Sequence, residues 1–164
     1  MRIEHIGKLP PETWEALIDG EPDPFRIGDD PTEWRSKDFF TVLYDGDRPI
    51  AATGLLVVET DHGETVGVGG VIVTRDYRGR GHLRPVFEAA LERAATLGPA
   101  TAMLFCGDWN VGLYAHFGFR EITAPVTVDQ STGPKVMTDA AMWRPLREGA
   151  TWPDGPVRVR GLPF

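Results

Sequence analysis

Three arginines and two glycines lie within the seven residues Arg78-Gly79-Arg80-Gly81-His82-Leu83-Arg84. Arginine offers forked, permanently charged donors that suit phosphate oxygens. Glycine reaches positive φ without strain, so the chain can turn several amide N–H groups in one direction. The run before them, Val71-Ile72-Val73-Thr74, is β-branched and suits a buried strand. After them, Leu83, Val86, Phe87, Ala90, Leu91, Ala94 and Ala95 recur at intervals of three and four, with Arg84, Glu88, Glu92 and Arg93 on the other face. Pro85 falls in the first turn of that helix and Gly98-Pro99 ends it. A strand, a loop of Gly and Arg, and a helix N-terminus make a seat for a phosphorylated ligand. The dinucleotide pattern of glycines would require Gly where Arg84 stands. The phosphate-loop NTPase pattern requires Gly-Lys-Ser/Thr, and no lysine occurs between Lys37 and Lys135.

A second chemical feature is Gly112-Leu113-Tyr114-Ala115-His116-Phe117-Gly118-Phe119-Arg120. Leu113 and Phe117 are one helical turn apart and Gly118 is a natural helix end, so packing accounts for most of the segment. It leaves Tyr114 without a reason. His116 follows by two positions and points to another side of the helix, as a surface or packing residue. Cys106, the single cysteine, has no histidine near it in sequence and reads as a small buried residue at a strand end.

The two segments together resemble the GNAT superfamily of acetyl-CoA-dependent N-acetyltransferases. Its motif A runs Arg or Gln, two residues, Gly, one residue, then Gly or Ala; Arg78 and Gly81 match it, and Leu83 replaces the last small residue. Its Leu-Tyr, three residues, Gly-Phe signature is matched by Leu113, Tyr114, Gly118 and Phe119. The resemblance implies acetyl-CoA as the acyl donor. Its diphosphate would sit on Arg78, Gly79, Arg80, Gly81, His82, Leu83 and Arg84, and its pantetheine arm would pair with Val71, Ile72 and Val73. Tyr114 would donate a proton to the leaving thiolate. The asparagine that many relatives carry seven residues before that tyrosine is Gly107 here, which makes Asn110 the substitute ligand.

Relatives also place a glutamate on the central strand about four residues before the cofactor-pairing segment. Here that neighbourhood is Gly67-Val68-Gly69-Gly70, so Glu64 is the candidate base, with His62 and Asp108 as loop alternatives and a water chain to an acid of the N-terminal third as another. The glycines themselves are expected to leave space for a bulky acceptor. The tail, with Trp152, Gly155, Pro156 and Phe164, resembles the aminoglycoside 2'-N-acetyltransferase-like branch, which hints at an amine-bearing sugar or polyamine.

With 164 residues, 41% of them apolar and 25% charged, one ordinary globular domain is the expectation over residues 1–148, followed by an extension over 149–164. Val157 and Val159 alternate with Arg158 and Arg160, which marks a short strand covering an edge of its own sheet or reaching a second subunit; monomer and homodimer both stay open. No run approaches the roughly 18 apolar residues of a membrane span, and no signal peptide is evident, so a cytoplasmic protein away from the membrane is expected. Residues 1–47 carry 12 acids against five bases, a net of −7, while the remainder balances 12 with 12. Such a division suits an anionic cofactor and a cationic acceptor, and equally an acidic surface kept for solubility; it disfavours nucleic acid.

In chain order the pattern predicts an edge strand over Arg2–Ile6, a helix opened by Pro10-Pro11 and ended by Gly20, and a short helix over Thr32–Lys37. Strands follow over Phe39–Tyr44, Ile50–Glu59 and Glu64–Thr74. Beyond the long helix come a strand over Thr101–Cys106, a helix over Trp109–Phe117, a strand over Phe119–Val128, a loop over Gln130–Pro134 and a strand over Val136–Leu146. The expected fold is α+β, a GNAT-like mixed but mostly antiparallel sheet with helices on both faces. The expected function is acetyl transfer to the primary amine of a cationic small molecule; a protein or peptide N-acetyltransferase and a non-catalytic acyl-CoA sensor are the alternatives.

Overall fold

The alternation at the start of the chain forms β1 (Arg2–Ile6), which has a sheet partner on one side only. The computed structural model describes all residues, Met1–Phe164. Pro11 opens α1 (Pro11–Ile18), and left-handed Asp19 and Gly20, at φ 52° and 70°, end it. The strands β2 (Phe39–Asp45) and β3 (Arg48–Thr60) form a hairpin about Gly46, whose φ is 59°. β4 (Gly63–Val73) leads through one 3-10 turn, Arg75–Tyr77, to α2 (Leu83–Ala94). There follow β5 (Thr101–Cys106), a second 3-10 turn at Asp108–Asn110, α3 (Val111–Ala115) and β6 (Arg120–Glu121). Finally come β7 (Val126–Gln130), β8 (Gly133–Val136), β9 (Ala140–Pro145) and β10 (Val157–Arg158).

Seven strands make one sheet in the order β1-β2-β3-β4-β5-β9-β6, and β10-β7-β8 make a second. The pairs β1–β2, β2–β3, β5–β9 and β6–β9 are antiparallel, whereas β4 and β5 run parallel. The mixed, mostly antiparallel α+β architecture is the one expected.

The chain divides into two compact units. In the first, comprising residues 1–31, 37–55 and 69–93, neighbouring β2 residues Val42 and Leu43 face opposite ways. Val42 packs with Leu17 of α1, Ala52 and Ile72, and Leu43 with Val86 of α2, Ile50 and Ala51, so the two helices cover opposite sheet faces. In the second unit, residues 32–36, 56–68 and 94–164, a core of Leu56, Val58, Met103, Val126, Val128 and Phe164 fills the space beside Trp34, Phe105 and Trp152. The tail is tied into that unit. β10 pairs parallel with β7, Val159 bridges Thr60, and the Asp129 carboxylate accepts from the Gly161 amide (2.7 Å) and from Arg158 (2.9 Å).

Four expected elements differ. Residues 32–37 are not helical: Glu33 exchanges hydrogen bonds with Gln130 and Ser131, Lys135 donates to Thr32, and the Arg35 amide donates to Pro163 O (2.9 Å). The expected strand over Phe119–Val128 is two. Ile122 N still donates to Ala141 O, but Pro125 has no N–H to continue the ladder, and Val126 begins β7 in the other sheet. The run over Val136–Leu146 is likewise divided between sheets, with Met137 N bonded to Val126 O and Ala140 beginning the pairing with β5. Gln130–Pro134 is the tight connection between β7 and β8 rather than a free loop.

Candidate active site

The strand, loop and helix expected to hold the cofactor lie in the first unit. Ile72 is buried among Leu17, Phe40, Val42 and Ala52, while Val73 packs beside Leu43, Ile50 and Ala51, so successive side chains anchor the end of β4 on both faces. Gly70 sits within β4 at φ 58°, a kink that an L side chain resists. The ladder to β5 is confined to Val66, Gly67 and Val68, so the stretch Gly69–Val73 takes no part in it. Strand exit is then fixed by Thr74, whose amide and hydroxyl both donate to Ile50 O at 2.8 and 3.0 Å.

Beyond it Gly79 and Gly81 adopt φ of 71° and 81°, with open space where a side chain would project. These glycines are there for conformation, and the space over them is what a bulky anion needs to approach backbone amides. Arg78 donates through Nε to Val73 O (2.9 Å) and through its two terminal nitrogens to the Glu21 carboxylate at 3.2 and 2.5 Å. Those contacts, with Arg75 and Arg26 nearby, hold the Glu21 carboxyl below the usual range. Arg80 is exposed, and Arg84 pairs with Glu88 one turn along α2 (2.9 Å). Leu83, in the place of the family's small residue, packs toward Val86, Leu43 and Ile50, so its bulk is taken up by the core. Tyr77 and His82 meet edge to face at 5.5 Å. The Tyr77 hydroxyl donates to Asp45 (2.8 Å), a bond that pushes its phenol up.

Tyr114 lies in the second unit, and local geometry explains its position. Phe119 N donates to Tyr114 O and Gly118 N to Ala115 O, with Gly118 at φ 83°, which is a Schellman ending for α3. The Tyr114 and Phe119 rings pack edge to face at 6.3 Å, the apolar contact such endings favour. Tyr114 is therefore 7% exposed, whereas Leu113, expected to share the packing role with Phe117, is 37% exposed. Burial, with the Cys106 thiol near, pushes the Tyr114 phenol well above its usual range. It stays protonated, with a hydroxyl hydrogen to donate. Cys106 is itself buried, its thiol pushed up to about 11, which removes it as a nucleophile.

The place of the family's asparagine is occupied in an unforeseen way. Trp109, 60% exposed, lies against Gly107 so closely that a Cβ there would stand 2.4 Å from the ring. Asn110 is half-buried at the start of α3, with no side-chain bond to the helix end. Gly67 does not leave room for an acceptor: a Cβ would meet the Phe164 ring at 2.8 Å and Val58 at 2.9 Å. The chain's own tail fills that position.

Glu64 is exposed near the start of β4, seven residues before Val71 in the chain. It lines a pocket of about 150 Å3 with Thr60, His62, Thr101 and Trp152. The structure gathers Val73, Arg78, Gly79 and Gly81 around one strand-loop-helix turn of the first unit, whereas Glu64 belongs to the second. The partners of Glu21 and Phe164, Arg78 and the Gly67 position, are not legible in the sequence, since each pair meets only through long-range folding. No three His, Cys, Asp or Glu side chains are grouped to hold a metal, and no helix is long and apolar enough to cross a membrane.

A mixed, mostly antiparallel sheet with a glycine and arginine turn ahead of α2 is the architecture that the resemblance to the acetyltransferases implies. The profile of the acetyltransferase (GNAT) family matches residues 8–119, and the chain belongs to that family of acetyl-CoA-dependent N-acetyltransferases. Among solved structures it is similar to the GNAT family N-acetyltransferase YhbS from Escherichia coli, crystallised with CoA. Identity is 20%, with 96% of this chain and 89% of that one covered at a TM-score of 0.64. Escherichia coli ElaA follows at 19% identity, covering 87% and 98% with a TM-score of 0.60. An aminoglycoside 6'-N-acetyltransferase complexed with coenzyme A shares 12% identity over 92% and 100%, with a TM-score of 0.59. At these identities the likeness shows the fold. No curated protein matches the chain.

Proposed function

We propose that this acetyltransferase moves the acetyl group of acetyl-CoA to the primary amine of a cationic small molecule by direct attack. The observation that carries the reading is the turn at Arg78–Gly81, where two left-handed glycines open backbone amides beside an arginine at the end of a buried strand. Arg78, Gly79, Arg80, Gly81, His82, Leu83 and Arg84 would hold the diphosphate, the side chains by charge and the backbone by N–H donors. Val71, Ile72 and Val73 would offer backbone groups to the pantetheine arm. One N–H there would polarise the thioester oxygen. Asn110 would be a further ligand of the same arm.

A thioester is already activated, so the protein has chiefly to align an uncharged amine, stabilise an oxyanion and handle two protons. Tyr114 donates one to the departing thiolate. The other leaves the amine as the C–N bond forms; Glu64, the one carboxylate of β4, would reach it only through water. The acidic first third of the chain favours a cationic acceptor. The test is release of free thiol from acetyl-CoA with a panel of aminoglycosides, polyamines and lysine-bearing peptides. Turnover with the small cations is expected. Turnover confined to peptides, with acetylated products in mass spectra, would replace this acceptor class.

A further inference from the structure

Arg78 meets a carboxylate where the proposed function needs it to meet a phosphate. Both terminal nitrogens of its guanidinium point at one Glu21 carboxylate, at 2.5 and 3.2 Å, while Nε is committed to Val73 O. Two parallel N–H···O contacts are the geometry by which arginine also grips a phosphate, so a carboxylate there is a stand-in for phosphate oxygens. Glu21 belongs to the segment that follows α1, and that segment is organised from within. The Asp23 carboxylate accepts from the amides of Ile27 and Gly28, both at 2.8 Å, and Phe25 stacks on Trp14 at 5.8 Å. Neither bond involves the arginine loop. Glu21 can therefore let go of Arg78 without dismantling its own segment.

We infer that Glu21 is a built-in competitor for the diphosphate at Arg78, displaced when coenzyme A binds. The inference rests on the cofactor reading of Arg78 made above. A carboxylate beside this arginine cancels its charge and repels an incoming anion. A singly charged anion has little advantage over the tethered carboxylate, whereas a diphosphate brings two charges that also engage the amides of the glycine turn. Glu21 thus sets a threshold that admits coenzyme A and rejects weak anions, and its release loosens the segment from the loop.

The test compares coenzyme A binding by calorimetry in the wild-type protein and in Glu21→Gln, with amide exchange of residues 19–28 followed in each. Exposed ion pairs of this kind are weak, so Glu21→Gln is expected to bind coenzyme A roughly two- to fivefold tighter. Amides of residues 19–28, held by bonds that do not involve Arg78, are expected to exchange alike in both proteins, with and without coenzyme A, so that the gain in affinity is read apart from any unfolding of the segment. A folded variant that binds coenzyme A no tighter than the wild type overturns the inference and leaves the cofactor site standing. Absence of coenzyme A binding in both proteins overturns the cofactor site and this inference with it.

Discussion

Tyr114 owes its place to a helix ending and its protonated state to burial. The Schellman closure needs an apolar partner for Phe119, which the ring supplies, while the hydroxyl, held in its protonated form, is left as a donor. The two roles separate on substitution. Tyr114→Phe keeps the ring contact and removes the donor, so kcat is expected to fall on the order of 10²-fold while coenzyme A affinity and thermal stability stay nearly unchanged. Thiol-release kinetics and calorimetry measure the two quantities, and an unaltered kcat would exclude Tyr114 from proton transfer. Thr53 presents the opposite case, a polar group with no task. It is 0% exposed on β3 and its hydroxyl has no hydrogen-bond partner. Thr53→Val replaces that hydroxyl with a methyl of similar shape, and urea unfolding is expected to show a gain of about 1 kcal/mol. A loss of stability would mean that the hydroxyl is satisfied after all.

At the scale of elements, the tail is fastened at a turn rather than by strand length, since β10 has only two residues. The bonds from the Gly161 amide and Arg158 hold the Asp129 carboxyl below its ordinary value. A carboxyl depressed in the folded state contributes stability above its unfolded pKa of about 3.9, and that contribution is lost as pH falls through that value and below it. Protection of the amides of residues 157–164, each rate taken relative to the unstructured chain at the same pH, is therefore expected to fall as pH drops below about 4, before the sheet core responds. Asp129→Asn should exchange faster at neutral pH and lose most of that acid step; an unchanged step in the variant would assign it elsewhere. The same tail marks where sequence reading runs out. The strands β1 to β5 and the arginine turn were legible because alternation, glycine and arginine act within a dozen residues. Residues 32–37 looked helical because their partners, Gln130, Ser131 and Pro163, are about a hundred positions away or more. Gly67 looked like vacant space because Phe164, which fills it, is equally distant in the chain. The continuous apolar run around Pro125 concealed a passage from one sheet to another, because burial in either sheet demands the same residue types.

For the molecule as a whole, the net charge of −7 resides entirely in residues 1–47, yet the turn proposed to hold the cofactor carries three arginines within seven residues. Charges of opposite sign kept in different parts of the chain act on the two substrates in opposite senses, and both actions are screened by salt. The Debye length shrinks from roughly 20 Å to roughly 4 Å as ionic strength rises from about 0.02 to about 0.5 M. Over that range coenzyme A binding is expected to weaken as the loop arginines are screened. The KM of a cationic amine is expected to rise severalfold as the acidic third loses its reach. An aromatic amine, uncharged at the assay pH, supplies the control, for its KM should stay nearly constant once the cofactor is saturating. If charged and uncharged acceptors respond alike, the acidic third does not draw the acceptor in and serves solubility alone.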